Sequence, residues 1–243
     1  MLLQDINEIK TADFLAGVTV LVDKPLEWTS FDVVNKIRYA LKRKLGVKKI
    51  KVGHAGTLDP LATGLLIIAI GKDTKLINNY QDLDKTYEGT IKLGATTPSF
   101  DAEFEPDKFY PTEHITVELI EQTRKSFIGF IQQIPPKFSA VKVNGETAYR
   151  LARKGVEFEI KRRTVKIHQF DIVRKGNDEL IFAVKCQKGT YIRTLADDFG
   201  KALNSGAYLT GLRRSAIGNF NISQALNLDD LITILNSTRP QSH

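Results

Sequence analysis

Residues Leu65-Leu66-Ile67-Ile68-Ala69-Ile70 form an unbroken apolar run closed at its ends by Gly64 and Gly71. Apolar at every position and bounded by breakers, such a run is expected to be a core strand buried on both faces. The stretch leading into it reads Gly53-His54-Ala55-Gly56-Thr57-Leu58-Asp59-Pro60-Leu61-Ala62-Thr63-Gly64. Glycine reaches backbone angles that other residues avoid and lets a ligand approach the main chain, while Pro60 biases Asp59 toward extended geometry. A single carboxylate, Asp59, is thus held in a loop whose surroundings are open. An aspartate in a glycine-rich loop is commonly a turn former or helix cap. Against that reading stand the glycines, a basic neighbourhood and the lack of another catalytic constellation. There is no Ser-His-Asp order with a nucleophile elbow, no metal triad and no paired carboxylate nearby. Gly71-Lys72-Asp73-Thr74 imitates the end of a phosphate-binding loop, but the upstream glycine spacing is wrong and Asp73 separates the lysine from the threonine.

The 243 residues, 42% of them hydrophobic, suffice for one large packed domain or two small ones. No apolar run approaches the ~20 residues that span a bilayer, and the N-terminus, with Asp5 and Glu8, lacks the basic start and apolar centre of a signal peptide. A cytoplasmic location is expected. Cys186 is the sole cysteine, which excludes an internal disulfide, and His54, His114, His168 and His243 are too scattered for a metal site. No metal and no cofactor is expected. Lysine and arginine number 35 against 28 acids, a net charge of +7. Such an excess serves either solubility or a polyanion partner. Its clustering favours the partner: Lys42, Arg43, Lys44, Lys48, Lys49 and Lys51 crowd the segment ahead of the Asp59 loop, and Lys161, Arg162, Arg163 and Lys166 crowd another.

Residues 1–16 carry no clear period and read as an N-terminal extension, 17–235 as the folded domain and 236–243 as a polar tail that frays. Val18 to Val22 reads as a strand, and Thr29 or Ser30 caps a helix whose apolar positions are Val33, Ile37, Leu41 and Leu45. Lys85 to Leu93 alternates, with Tyr87, Gly89, Ile91 and Leu93 on one face, as in a half-buried antiparallel strand. A helix starts at Thr116 and runs to about Phe127. Thr164 to Val173 and Glu179 to Cys186 read as paired strands, Ile192 to Leu203 as a helix and Ala207 to Ile217 as a returning strand. Hairpins outnumber strand-helix-strand units, so the class is α+β with a mixed, largely antiparallel central sheet flanked by helices. Residues 133–159 leave this pattern. Pro135-Pro136 forbids a regular element, and Asn144-Gly145 marks a tight turn ahead of a short helix near Tyr149.

The loop at 53–64 resembles the signature loop of the TruB family, the bacterial tRNA pseudouridine-55 synthases. Further motifs match in order over roughly Gly17 to Leu231: Asp23-Lys24-Pro25, Lys85-Thr86-Tyr87, Ser139-Ala140-Val141-Lys142 with Gly145 and Tyr149, Lys188-Gly189-Thr190-Tyr191-Ile192-Arg193-Thr194, and Leu212-Arg213-Arg214. The resemblance implies a pseudouridine synthase fold with 133–159 as a thumb closing over RNA. It implies an enzyme, an isomerase that detaches uracil from its ribose in the tRNA T-loop, rotates it and rejoins it through carbon. The implied partner is the T-arm of tRNA, with no membrane, no required protein partner and a monomer as the working state.

The same resemblance assigns roles. Asp59 would be the nucleophile, acting on the ribose or the ring. Arg193 would lie beside it and hold it ionised, although Asp197, four residues on, offers a helical ion pair instead. Tyr87 would stack on the flipped uracil and help move the proton from its ring carbon; on the apolar face of a strand it also reads as core. Tyr191 and Leu212 would close the pocket, and each taken alone reads as core too. His54 would enter the space left by the extruded nucleotide, or simply bond the loop backbone. Lys24 and Lys142 complete the substrate contacts. Most bacterial relatives add a small C-terminal RNA-binding domain, and this chain is expected to be a short form without it, its basic clusters compensating. Two rivals remain: a guide-RNA-dependent pseudouridine synthase, which uses that domain, and a tRNA-binding chaperone, which has no use for Asp59, Tyr87 and Arg193 together.

Overall fold

A computed structural model describes residues 2–3 and 6–237 of the protein. The chain divides into two compact units, Met1–Lys85 with Arg213–His243, and Thr86–Leu212. The crossings at 85/86 and 212/213 fall inside strands rather than linkers, which is why no shift in composition announces them.

The first unit begins with β1 (Leu2–Leu3) and α1 (Ile6–Thr11). The sequence reads this segment as an extension without elements, but β1 pairs in parallel with β2 (Val18–Lys24), and Leu3, Ile9 and Phe14 are buried in the unit's core. Elements two and six residues long are too short to show a period. α2 (Ser30–Leu45) starts where a capping box closes it: the Asp32 amide donates to Thr29 Oγ1 at 3.0 Å, and the Thr29 amide donates to Asp32 Oδ2 at 3.0 Å. Its buried face, Val33, Val34, Ile37, Ala40 and Leu41, packs on the sheet. There β2 runs antiparallel to β4 (Ala62–Ile70), Val18 opposite Ile70 and Lys24 opposite Gly64. Every residue of β4 except Thr63 is buried. Leu66, Ile68 and Ile70 face the α2 core, and Leu65 and Ile67 join Leu21 and Ile217 in a cluster on the other face. The two-sided burial expected of the apolar run is what forms. β3 (Val52–His54) pairs antiparallel with the end of β4. Gly71–Leu76 turns as a 3₁₀ helix into α3 (Ile77–Asp82), with Thr74 Oγ1 donating to the Gly71 carbonyl at 2.8 Å; this is a local turn, not a phosphate loop.

The second unit takes up β5 (Lys85–Leu93), whose buried Tyr87, Ile91 and Leu93 follow the alternation read from sequence. The short strands β6 (Ala95–Thr96) and β7 (Lys108–Phe109) form a small ribbon. α4 (Val117–Ser126) is capped by Thr116, and β8 (Gly129–Gln133) follows. The 133–159 segment holds β9 (Lys142–Val143), the Asn144-Gly145 turn, β10 (Glu146–Thr147) and α5 (Ala148–Arg153). β11 (Arg163–Lys175) pairs antiparallel with both β8 and β12 (Glu179–Cys186), as the hairpin pattern predicts, with an irregularity between Ile167 and Gln169. α6 (Ile192–Ala202) is buried nearly all round, and Phe199 meets Phe127 and Phe170 at centroid distances of 5.4 and 5.6 Å. The first half of β13 (Ala207–Ile217) lies along β5, with Thr90 and Thr210 hydroxyls 2.8 Å apart.

The second half of β13 returns to the first unit and lies along β4. β14 (Phe220–Asn221) pairs with it, β15 (Leu226–Asn227) pairs in parallel with β2, and α7 (Leu228–Ser237) buries Leu228, Leu231, Ile234 and Leu235 in the α2 core. The first two residues of the expected tail therefore end a helix, and 238–243 lie outside the described residues. The strand pairings described above are antiparallel apart from those of β1 and β15 with β2, so the fold is α+β with a mixed, largely antiparallel sheet. Among the described residues no helix is long and apolar enough to cross a membrane, and no three or more His, Cys, Asp or Glu gather as a metal site.

Candidate active site

The Asp59 loop joins β3 to β4, with His54 opposite Ile68 and the Ala55 amide donating to the Ile67 carbonyl at 2.9 Å. Its backbone is tied from several directions. Ser30, buried at the start of α2, accepts from the Leu58 amide at 2.8 Å and donates to the Leu58 carbonyl at 3.2 Å. The Glu27 amide donates to the Pro60 carbonyl at 2.9 Å, and the Ala62 amide donates to that of Asp59 at 3.0 Å. Arg214, fully buried on β13, donates from Nε to the Leu65 carbonyl at 2.8 Å and from Nη2 to the Gly56 carbonyl at 3.0 Å. Partners on α2, the β2–α2 turn and β13 thus fix the chain on both sides of Asp59. Gly64 sits at φ 107°, and a Cβ there would come within 2.4 Å of the Arg214 carbonyl oxygen, so the close approach of β13 requires glycine.

Lys24 lies beneath this loop with no exposed surface. Its Nζ donates to the carbonyls of Pro25 at 2.9 Å, Trp28 at 2.5 Å and Pro60 at 3.4 Å. Burial pushes the ammonium down from 10.5 to about 8; the Asp59 carboxylate opposes that fall and the Arg214 cation adds to it. The charge of Asp59 therefore acts on a buried cation whose hydrogen bonds go to backbone carbonyls. The His54 imidazole is held below its ordinary range, first by burial and then by the Arg214 charge, with a hydrogen bond to the Gly56 backbone opposing both. Its Nδ1 is buried without a hydrogen-bond partner. The ring therefore has the backbone bond of one reading and a free nitrogen besides. Arg213, next to Arg214, takes the opposite role: partly exposed, it grips Asp23 through Nη2 at 2.6 Å and Nη1 at 3.1 Å.

Arg193 sits on the first turn of α6 in the second unit, buried to 5% exposure. Nη2 donates to the Phe138 carbonyl at 2.9 Å, Nη1 to the Ser99 carbonyl at 3.3 Å, and Nε lies 3.5 Å from Asp101 Oδ2. The helical alternative, Asp197, is engaged instead by Lys201 at 2.5 Å. Tyr191 is clamped through its backbone, its amide donating to Gln133 Oε1 at 3.0 Å and its carbonyl accepting from Gln133 Nε2 at 3.2 Å. The Arg163 guanidinium covers its ring at 4.7 Å. Tyr87 is buried in β5, Leu212 is half-buried and Lys142 is exposed on β9. Of the residues singled out in the sequence, Lys24, His54 and Asp59 gather in the first unit, and Tyr87, Lys142, Tyr191, Arg193 and Leu212 belong to the second.

Residues 42–192, well over half of the chain, match a family described as the TruB family pseudouridylate synthase (N terminal domain). The chain belongs to the TruB family. Residues 193–241 match the tRNA pseudouridylate synthase B C-terminal domain, a stretch comprising α6, β13 and the elements that return to the first unit. The tRNA pseudouridine synthase B of Parabacteroides distasonis is 55% identical over 90% of this chain and 93% of its own length. That of Phocaeicola vulgatus is 57% identical over 89% and 92%. Among solved structures, the crystal structure of a Cbf5-Nop10-Gar1 complex contains a chain with a TM-score of 0.69 and 28% identity; the match covers 94% of this chain and 56% of that one.

In each unit, residues that hold the candidate side chains are not marked by the sequence alone. From sequence Ser30 reads only as a possible cap, and Arg214 stands in the Leu212-Arg213-Arg214 motif with no role of its own. Asp101 was not singled out at all, yet it is buried, accepts from Ser99 Oγ at 2.5 Å and from the Glu103 amide at 3.0 Å, and meets Arg193. The alternation Thr97, Ser99, Asp101 was the available signal, since small polar residues at that spacing fold a loop around their own side chains. Gln133 gave no signal, because only the fold brings it to Tyr191.

Proposed function

We propose that this protein is a tRNA pseudouridine synthase that converts uridine-55 of the T-loop to pseudouridine. The observation that carries the reading is the 55–57% identity, over about nine-tenths of the chain, to relatives named tRNA pseudouridine synthase B. Asp59 is the nucleophile, on a loop tied by Ser30 and Arg214 and electrostatically coupled to the buried Lys24. The bond from ring nitrogen to ribose breaks, the uracil turns, a carbon-to-ribose bond forms, and the ring carbon gives up its proton while the freed nitrogen takes one, so the net change is an isomerisation. Arg193 and Tyr87 complete the catalytic set, Arg193 as the cation for Asp59 and Tyr87 as the ring against which the uracil stacks. His54 fills the space of the extruded nucleotide; an imidazole whose burial disfavours its charged form, with an unpartnered buried nitrogen, suits that task. Tyr191 and Leu212 enclose the base, and Lys142 on the 133–159 segment meets the RNA. The enzyme works alone in the cytoplasm, as a monomer on the T-arm.

The test is direct. Incubated alone with an unmodified tRNA transcript, the purified protein forms pseudouridine at the T-loop uridine; if mapping finds none there, the reading fails. Asp59→Asn abolishes isomerisation and leaves tRNA affinity within a few-fold. A large loss of binding would recast Asp59 as structural.

A further inference from the structure

The solvent face of α2 carries a stripe that the proposed reaction does not use. Phe31, Asn35, Tyr39 and Arg43 follow one another at four-residue spacing and so share one side of the helix. Phe31 is 60% exposed and Tyr39 64%, while the opposite side of the same helix supplies the core. Neither ring stacks on another among the described residues. They stand about 12 Å apart along the helix axis.

The charge beside them is arranged by position. Glu27 and Asp32 lie at the N-terminal end, and Asp32 is engaged there by the backbone and hydroxyl of Thr29 at 3.0 and 2.5 Å. Arg38 is also committed, to Asn35 and to the Val52 carbonyl. Lys42 and Arg43, toward the C-terminal end, form no ion pair among the described residues and lead into Lys48, Lys49 and Lys51. A hollow of about 350 Å³, lined by Glu27, Trp28, Asp32, Asn35 and Lys36, touches the stripe at Asn35 alone. The stripe starts next to Ser30, whose hydroxyl holds Leu58, the residue before Asp59. Two exposed aromatics that lead along the helix to free cations at its C-terminal end, beside the proposed catalytic loop, suit unpaired nucleotides: bases stack on the rings and the phosphates beyond Tyr39 meet the cations.

We propose that this face of α2 is a second RNA-binding surface, on which unpaired nucleotides of the tRNA other than the reacting one stack on Phe31 and Tyr39 while Lys42 and Arg43 take the adjoining phosphates. The inference rests on the function proposed above and adds to it a surface outside the reacting site.

The test measures the Kd of an unmodified tRNA transcript across a salt series, together with the rate of pseudouridine formation at saturating tRNA. Phe31→Ala and Tyr39→Ala each weaken binding roughly tenfold, the loss of one stacked base. Phe31→Trp and Tyr39→Phe stay within twofold of wild type, whereas Phe31→Leu and Tyr39→Leu lose as much as alanine, because stacking needs a π face. The aromatic variants keep the slope of log affinity against log salt, and Arg43→Gln lowers it by about one. The saturating rate is unchanged in all of them. Double-alanine binding within twofold of wild type overturns the proposal, as do leucine variants that bind like wild type. So does self-association of the wild type, seen by sedimentation and lost in the double variant, which would make the stripe a protein interface. If wild type forms pseudouridine in tRNA and the double variant binds normally, only the stripe is refuted; if wild type forms none, the function itself is.

Discussion

Lys24→Met, followed across pH, separates the cost of a buried charge from the value of the contacts around it. The native ammonium titrates near 8 and the unfolded one at 10.5, an interval equivalent to about 3 kcal/mol. Below pH 8 both states are protonated, and the folded protein carries the full cost of the buried cation. Between 8 and 10.5 the unfolded chain binds more protons than the native one, so wild-type stability climbs with pH, and it levels above 10.5. Methionine cannot titrate, and its loss of donors to Pro25, Trp28 and Pro60 is an offset that does not depend on pH. Urea unfolding of both proteins at pH 7, 8, 9 and 10 gives the difference curve. It rises by about 2–3 kcal/mol over that range in favour of wild type. A flat or falling difference refutes the reasoning. The rise is larger and starts at lower pH in an Asp59→Asn background, because the attraction that sustains the Lys24 proton has gone.

Ser30→Ala strips both backbone groups of Leu58 of their partner in a buried setting and costs about 3 kcal/mol by urea unfolding, with turnover falling as the Asp59 loop loosens. A loss below about 0.5 kcal/mol would mean that the hydroxyl is not what holds the loop. Gly64→Ala forces a Cβ against the Arg214 backbone at a positive φ and destabilises by at least about 3 kcal/mol, read as a collapse in soluble yield or in Tm. His54 is held below its ordinary value of 6.5 by burial; NMR titration of its ring protons finds a midpoint below 6.5, and one at or above it contradicts the burial argument.

The long elements were legible because their periods are strong. The apolar run at 65–70, the alternation of β5 and the hairpin of β11 and β12 each declare themselves within one window of sequence. β1, β14 and β15 are two residues long and leave no period. α7 was readable from Leu228, Leu231, Ile234 and Leu235, but its short length near a polar end hid it. The glycines around Asp59 announced a loop worth explaining, yet not what holds it, since Ser30 and Arg214 act from 28 and 158 positions away. Arg213 and Arg214 are indistinguishable as letters. One grips an aspartate at the surface and the other is sealed in the core, and only strand geometry decides which.

Arg214 also sets a timetable for biosynthesis. A ribosome releases the chain from the N-terminus at roughly 5–20 residues per second, so the Asp59 loop emerges well before its buttress. Until β13 has been made, the Gly56 and Leu65 carbonyls lack the guanidinium that binds them, and nothing packs against Gly64. A nascent or prematurely terminated chain can carry Asp59 without the rigid frame around it. The carboxylate gains that frame only once the chain has been made through Arg214, 158 positions past Gly56.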